Sequence, residues 1–303
     1  HLPPGGSYTL VHLAGRWGAE TQVIEEPVTP GKKVLESRRG HTSHFANPWY
    51  AITRGEPLEE SCEVWFGAVA WSGNWKLAVE ADTTGRVQVS GGINDFDFAW
   101  RLGPGESFRT PSFFGGFTSG GLGDASRVLH RFERERVLPR EFASQPRPVL
   151  YNSWEATGFD INEENQSRLA EIAASLGVEL FVVDDGWFGA RDSDRAGLGD
   201  WTPSPKKFPQ GLGPLIQRVK DLGMAFGLWV EPEMVNPDSD LYRAHPDWVY
   251  HFPKRPRTES RNQLVLNLAR PEVEEHITSV LDKLLSEYDI DFIKWDMNRP
   301  FSE

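Results

Sequence analysis

Between residues 148 and 296 the chain repeats one pattern: a short, nearly unbroken apolar run that ends in charged or polar residues, followed by an amphipathic stretch. The runs occupy residues 148–155, 179–187, 224–233 and 291–296. Helical spacing predicts helices over residues 162–176, 212–222 and 272–288. The first carries Leu169, Ile172, Ala173 and Leu176 on one face, and Gly177 and Gly223 stop the first two. Strands that are apolar throughout are parallel strands covered on both faces. Their ends carry Trp154 and Glu155, Asp184 and Asp185, Glu231 and Glu233, then Lys294 and Asp296. A (β/α) barrel gathers its functional groups at that face. A Rossmann-type sheet is the competitor, but no G-x-G-x-x-G follows the first strand. Only about four strand–helix units fit before Glu303, so the expected fold over 147–303 is the first half of a (β/α)8 barrel, truncated at its C-terminal side.

Residues 1–124 follow a different grammar. Short apolar stretches such as Tyr8-Thr9-Leu10-Val11-His12-Leu13 are separated by Gly, Pro and Asn, which predicts an antiparallel β-sandwich, shortened at its N-terminal side. Ser72-Gly73-Asn74, between the apolar runs 63–71 and 75–81, reads as a hairpin turn. A helix is expected over 125–137, within a helical linker over 125–146. The expected fold class is thus multidomain, β followed by α/β.

Composition narrows the chemistry. A formal net charge of −12 disfavours nucleic acid and anionic membrane surfaces as partners and fits a neutral substrate. No apolar run reaches the roughly 18 residues of a membrane span. Cys62 is the only cysteine, which rules out an intrachain disulfide and a multi-cysteine metal site. The eight His residues show no H-E-x-x-H, and no metal or cofactor is implied; His245 and His251 read as loop residues. No signal peptide is visible, which leaves cytoplasmic and secreted locations open. Twelve tryptophans are many for this length. Indoles can lie against sugar rings, although core packing accounts for most such residues.

The strand-end motifs each admit two readings. In Lys294-Trp295-Asp296, alternation points Lys294 and Asp296 the same way. A carboxylate beside an ammonium stays ionised, as a nucleophile must; a structural ion pair is the plainer alternative. Asp184-Asp185-Gly186-Trp187 offers two diverging carboxylates for neighbouring hydroxyls, or a turn-forming Asp–Gly. Glu231-Pro232-Glu233 is either a like-charge acid/base pair or, as favoured here, a support that orients Trp229 or an arginine. Arg257, Arg261 and Asn262 lie in a long polar stretch over 247–264, where an Arg fork could clamp hydroxyls or a carboxylate, or simply be solvated.

Several segments taken together resemble the α-galactosidases of glycoside hydrolase family 36. They are Leu150-Tyr151-Asn152-Ser153-Trp154-Glu155-Ala156-Thr157, Val183-Asp184-Asp185-Gly186-Trp187-Phe188-Gly189, Gly197-Leu198-Gly199-Asp200-Trp201, Trp229-Val230-Glu231-Pro232-Glu233-Met234-Val235 and Lys294-Trp295-Asp296-Met297-Asn298-Arg299. Residues 36–48 resemble that family's N-terminal sandwich. The resemblance implies a retaining, cofactor-free enzyme that removes terminal α-1,6-linked galactose from raffinose-type oligosaccharides, melibiose or galactomannan. It implies Asp296 as nucleophile, Lys294, Asp184 and Asp185 as holders of galactose hydroxyls, and Trp154, Trp229 and Arg261 as pocket-lining residues. It also implies an acid/base beyond Glu303, so that this chain alone is inactive. Homo-oligomers are compatible with it, the sandwich segment reaching a neighbouring subunit's active site. A transglycosylase of the raffinose synthase type and a non-catalytic sugar-binding protein are the alternatives.

Overall fold

Alternation of apolar and polar residues sorts the first eight strands into two antiparallel sheets. In the computed structural model, which describes residues 1–301, these strands are β1 (Tyr8–Arg16), β2 (Ala19–Pro27), β3 (Gly31–Glu36), β4 (Trp49–Arg54), β5 (Val64–Ala70), β6 (Trp75–Ala81), β7 (Val87–Ile93) and β8 (Ser112–Thr118). One sheet has the order β2-β1-β4-β5-β8 and the other β3-β6-β7. Leu10, Ile52 and Val69 of the first sheet pack against Leu35, Trp75, Leu77 and Val79 of the second, giving a sandwich core. The neighbouring residues Val11 and Ala51, with Val64 and Phe66, face the other way. They pack under α1 (Gly121–Phe132), through Ala125, Leu122 and Val128. The helix predicted over 125–137 therefore starts earlier, and its last turn, Glu133–Val137, widens to π geometry.

The hairpin expected at Ser72-Gly73-Asn74 does not form. β5 pairs with β4 and β8, whereas β6 pairs with β3 and β7. The turn carries the chain from one sheet to the other. Trp75, wholly buried, is the first residue of β6 and anchors the crossing in the core between the sheets.

The chain divides into two compact units, His1–Gln145 with the closing residues from Pro300, and Pro146–Arg299. After the short α2 (Arg140–Ala143), the second unit builds a parallel sheet from β9 (Leu150–Asn152), β10 (Leu180–Val183), β11 (Ala225–Val230) and β14 (Phe292–Trp295). The spatial order β14-β11-β10-β9 adds each strand to the same side of the last, without the reversal of a doubly wound sheet. This is the strand progression of a barrel.

The strands are shorter than their apolar runs, because the polar residues that follow turn out of the sheet. Between them lie α3 (Trp154–Thr157), α4 (Glu163–Ser175) and α5 (Gly213–Asp221). Asn162 and Asn165 close a reciprocal capping box on α4, each side chain accepting from the other's backbone N–H. Gly177 and Gly223 (φ +83° and +81°) end α4 and α5 in Schellman turns. The amide after each glycine returns to Ala173 and Val219 respectively. All four residues of β10 are buried, as strands covered on both sides require.

Between β11 and the long α7 (Pro271–Glu287) the chain makes an excursion through β12 (Met234–Val235), α6 (Asp240–Ala244) and β13 (Leu264–Val265). β12 and β13 pair antiparallel, and Val235, Val249, Leu264 and Leu266 bury against Val273 and Ile277 of α7. The polar stretch over 247–264 thus belongs to a structured excursion with its own apolar core. Among the described residues no helix is long and apolar enough to cross a membrane.

Candidate active site

Register decides which strand-end side chains meet. Asn152 pairs with Val182, Val182 with Gly227, and Trp229 with Lys294. Period-two alternation then puts Asn152, Asp184, Trp229, Lys294 and Asp296 on one face of the sheet.

Asp184, 3% exposed, accepts from Lys294 Nζ and Asn152 Nδ2, both at 2.6 Å on Oδ2. Its own amide donates to Ser153 Oγ at 2.9 Å. The ammonium of Lys294 therefore reaches past β11 to Asp184 and pairs there, so the local Lys294–Asp296 pair read from spacing alone is not the ion pair the fold makes. Gly186 (φ +103°) then turns the chain away, and Trp187 follows it into the core.

Asp185 is not an unpaired carboxylate. Arg191 forks onto it, Nε to Oδ1 at 2.9 Å and Nη2 to Oδ2 at 2.7 Å, with both residues buried. Burial pushes the Asp185 carboxyl above the usual range, and Arg191 opposes that shift. Lys207 staples the same loop. Its ammonium donates to the carbonyls of Gly186 and Arg191 at 2.8 Å and of Phe159 at 3.1 Å. Nothing in the sequence pattern marks Arg191 or Lys207, because it is the folding of the loop that brings them onto Asp185 and onto the carbonyls of Phe159, Gly186 and Arg191.

Asp296 follows β14 directly. Oδ2 accepts from Trp229 Nε1 and Asn298 Nδ2, both at 2.9 Å, and Oδ1 accepts from the Met297 amide at 2.9 Å. Its amide is tied to the Val230 carbonyl at 2.8 Å. Three donors thus converge on one partly exposed carboxylate, and the side chain is held in place before any ligand arrives. Trp229 is 1% exposed, 4° from parallel to Phe188 and tilted 47° to Trp201, each at 6.1 Å between ring centres. It braces Asp296 through its N–H.

Arg261, exposed, sits with Asn262 in a tight turn where both have left-handed backbone (φ +52° and +60°). Its Nη1 donates to Asn298 Oδ1 at 3.1 Å, so it joins the Asp296 group through Asn298. Arg257 instead binds the Tyr242 hydroxyl and the Pro246 carbonyl within the excursion. Trp154 begins α3 rather than ending a strand, its ring edge-on to Phe159 at 5.1 Å. Its amide donates to Asn152 Oδ1 at 2.9 Å, a backbone link to the Asp184 group.

Glu231 and Glu233 diverge after β11 ends. Glu231, fully buried, accepts from the Asn298 amide and, at 3.0 Å, from Gln263 Nε2. Burial first, then the Asp296 and Asp185 charges, raise its pKa to about 7, against the opposing Asn298 bonds. Glu233 accepts from Trp295 Nε1 at 2.8 Å. Both hold the segment around Asp296, rather than orienting Trp229 or an arginine as the spacing suggested. Asn152 and Asn298 are the small amides that join these groups, and nothing in their sequence spacing marks either for that task.

Cavities of about 300 and 480 Å³ belong to the sandwich unit; the first is lined by Glu26, Lys32 and Lys33 as well as Leu10 and Val79, the second mainly by aromatic residues and glycines. No group of three or more His, Cys, Asp or Glu side chains among the described residues is arranged to hold a metal ion.

A sandwich followed by sequentially ordered parallel strands, with fixed carboxylates at their C-terminal ends, places the chain in the class of β-sandwich proteins joined to part of a (β/α) barrel. Comparison with known proteins makes this specific. Residues 1–103 match the glycosyl hydrolase family 36 N-terminal domain, and residues 107–303 match the melibiase family. The chain belongs to glycoside hydrolase family 36. It is 46% identical over 300 residues to α-galactosidase AgaA of Geobacillus stearothermophilus, covering 99% of this chain and 41% of that protein. It is 44% identical to α-galactosidase Mel36A of Lactobacillus acidophilus, covering 98% and 40% respectively. The crystal structure of AgaA superposes with a TM-score of 0.96, covering 99% of this chain and 42% of that one. Substituted forms of AgaA have been solved in complex with raffinose and with stachyose. The chain therefore spans about two fifths of the length of these relatives.

Proposed function

We propose that the protein carrying this chain is a retaining α-galactosidase acting on terminal α-1,6-linked galactose of raffinose-type oligosaccharides, melibiose or galactomannan. The observation that carries this reading is the three-donor cradle of Asp296 at the end of a barrel strand, beside the Lys294–Asp184 pair. Raffinose and stachyose bound to related structures support the substrate class.

An Asp296 oxygen attacks the anomeric carbon while the glycosidic C–O bond breaks, leaving a covalent galactosyl ester. A second carboxyl protonates the departing oxygen and then takes a proton from the water that cleaves the ester. In retaining enzymes the two carboxyls stand roughly 5 to 5.5 Å apart. Four other carboxylates at the strand ends are engaged: Asp184 by Lys294, Asp185 by Arg191, Glu231 by Asn298 and Gln263, Glu233 by Trp295. In this reading the acid/base comes from outside the described residues. Lys294, Asp184, Arg261 and Trp154 would hold hydroxyls or line the pocket, and Asp185, fixed by Arg191, would accept from a further hydroxyl. No cofactor enters the reaction.

The test is Asp296→Ala in the full-length protein, assayed with an activated galactoside and azide. Azide should restore turnover and yield a β-galactosyl azide, because a small anion replaces the missing carboxylate from the same side. Near-normal activity without azide would sink the assignment. Product analysis with excess galactoside acceptor separates hydrolysis from transglycosylation.

A further inference from the structure

Asn236, the residue that directly follows β12, is wholly buried, and its amide uses every hydrogen-bonding position it has. Oδ1 accepts from Arg191 Nη1 and from the Leu198 amide, both at 2.9 Å. Nδ2 donates to the carbonyls of Asp194 at 3.1 Å and Asn262 at 2.7 Å. A fully satisfied buried amide admits only one orientation, since turning it end for end would set donors against donors.

Its two ends lead to different carboxylates. Through Oδ1 it holds Arg191, whose other nitrogens fork onto Asp185. Through Nδ2 it holds the Asn262 carbonyl, in the turn where Arg261 and Asn262 both adopt left-handed backbone. Non-glycine residues in that region persist only when their surroundings hold them. The turn presents Arg261 to Asn298, and Asn298 donates to Asp296 Oδ2.

We propose that Asn236 is a positioning residue: one buried amide ties the placement of Asp185, through Arg191, to that of Asp296, through the Arg261 turn and Asn298. The assignment rests on the function proposed above, in which these carboxylates hold and attack the same sugar. It touches neither substrate nor reacting atoms.

The experiment uses the full-length protein and an aryl α-galactoside. Asn236→Asp keeps the acceptor for Arg191 and Leu198 but loses both donors, so it releases the Arg261 turn and leaves Asp185 held. A misplacement of about 1 Å at the reacting groups can cost about a hundredfold, so kcat should fall about 10- to 100-fold with KM within about threefold. A purely structural role would lower the folded fraction without this split. A double-mutant cycle with Arg261→Met reads the route: if Asn236 acts through Arg261, the two losses in kcat are non-additive, the double variant being no slower than Arg261→Met. If Asn236→Asp does not fold, Asn236→Ser enters the same cycle. Unchanged kcat, or additive losses in the cycle, overturns the positioning role. Wild-type protein without any α-galactoside turnover would instead overturn the underlying function.

Discussion

In the sandwich, Lys76–Asp95, Arg54–Glu63 and Lys32–Glu80 are ion pairs between side chains open to water. In the half-barrel unit the situation reverses. Every buried Asp, Glu, Lys or Arg among the described residues lies there: Asp184, Asp185, Arg191, Lys207, Glu231 and Arg299. Each has named partners, from the Arg191 fork to the carbonyls of Thr258 and Gln263 that receive Arg299. Burying charge is costly and adds little net stability compared with an apolar core. The sandwich core is built mainly of aliphatic and aromatic side chains, with His12, Ser37, Thr53 and Asn94 as its buried polar residues among those described. The half-barrel accepts the cost at one end of its sheet, where fixed charges can act on a bound ligand.

The comparison can be broken most easily at Asp296. Asp296→Asn in the full-length protein should lower turnover roughly 10³-fold or more while its thermal unfolding stays near that of the wild type. Retained turnover would remove the functional reason for the contrast.

Next in size, Arg191→Met leaves Asp185 buried and unpaired, which should destabilise the unit by about 3–5 kcal/mol, read as a lower urea midpoint. An effect below about 1 kcal/mol would mean the fork is no stronger than a surface pair.

Glu231 sharpens the contrast through pH. Its folded pKa of about 7 lies above the ordinary glutamate value of 4.5. Between these values the folded state holds the extra proton, so its contribution to stability is full below about pH 4.5 and is lost as pH rises through 7. The whole effect is about 3 kcal/mol. Unfolding measured from pH 5 to 8 should show this slope in the wild type and a flatter one in Glu231→Gln. Equal slopes would assign the pH dependence to other groups.

The smallest effect belongs to the sandwich. Lys76→Met breaks the exposed Asp95 pair and should change stability by less than about 1 kcal/mol. A larger loss would show that the sandwich also depends on its charges.

The parts legible in the sequence were those governed by local rules. The helices α4 and α5 lie within a residue of where apolar spacing and the stops at Gly177 and Gly223 put them. The barrel strands were found, but as longer runs, since Glu155 and Glu233 follow the apolar residues without continuing the ladder. The Ser72-Gly73-Asn74 turn was legible as a turn and not as a hairpin. A turn motif constrains four residues, whereas sheet membership depends on which strand edges and buried faces are available to Val64–Ala70 and Trp75–Ala81.

The sequence by itself determined that acidic and basic groups cluster at the ends of parallel strands, because a strand's apolar run and polar terminus are properties of contiguous residues. Only the tertiary structure decided which of those groups pair. Lys294 and Asp296 are two residues apart, yet Lys294 binds Asp184, more than a hundred positions earlier, and Asp296 is held by Trp229 and Asn298. Charge pairing follows distance in space, and parallel register across three strands sets that distance.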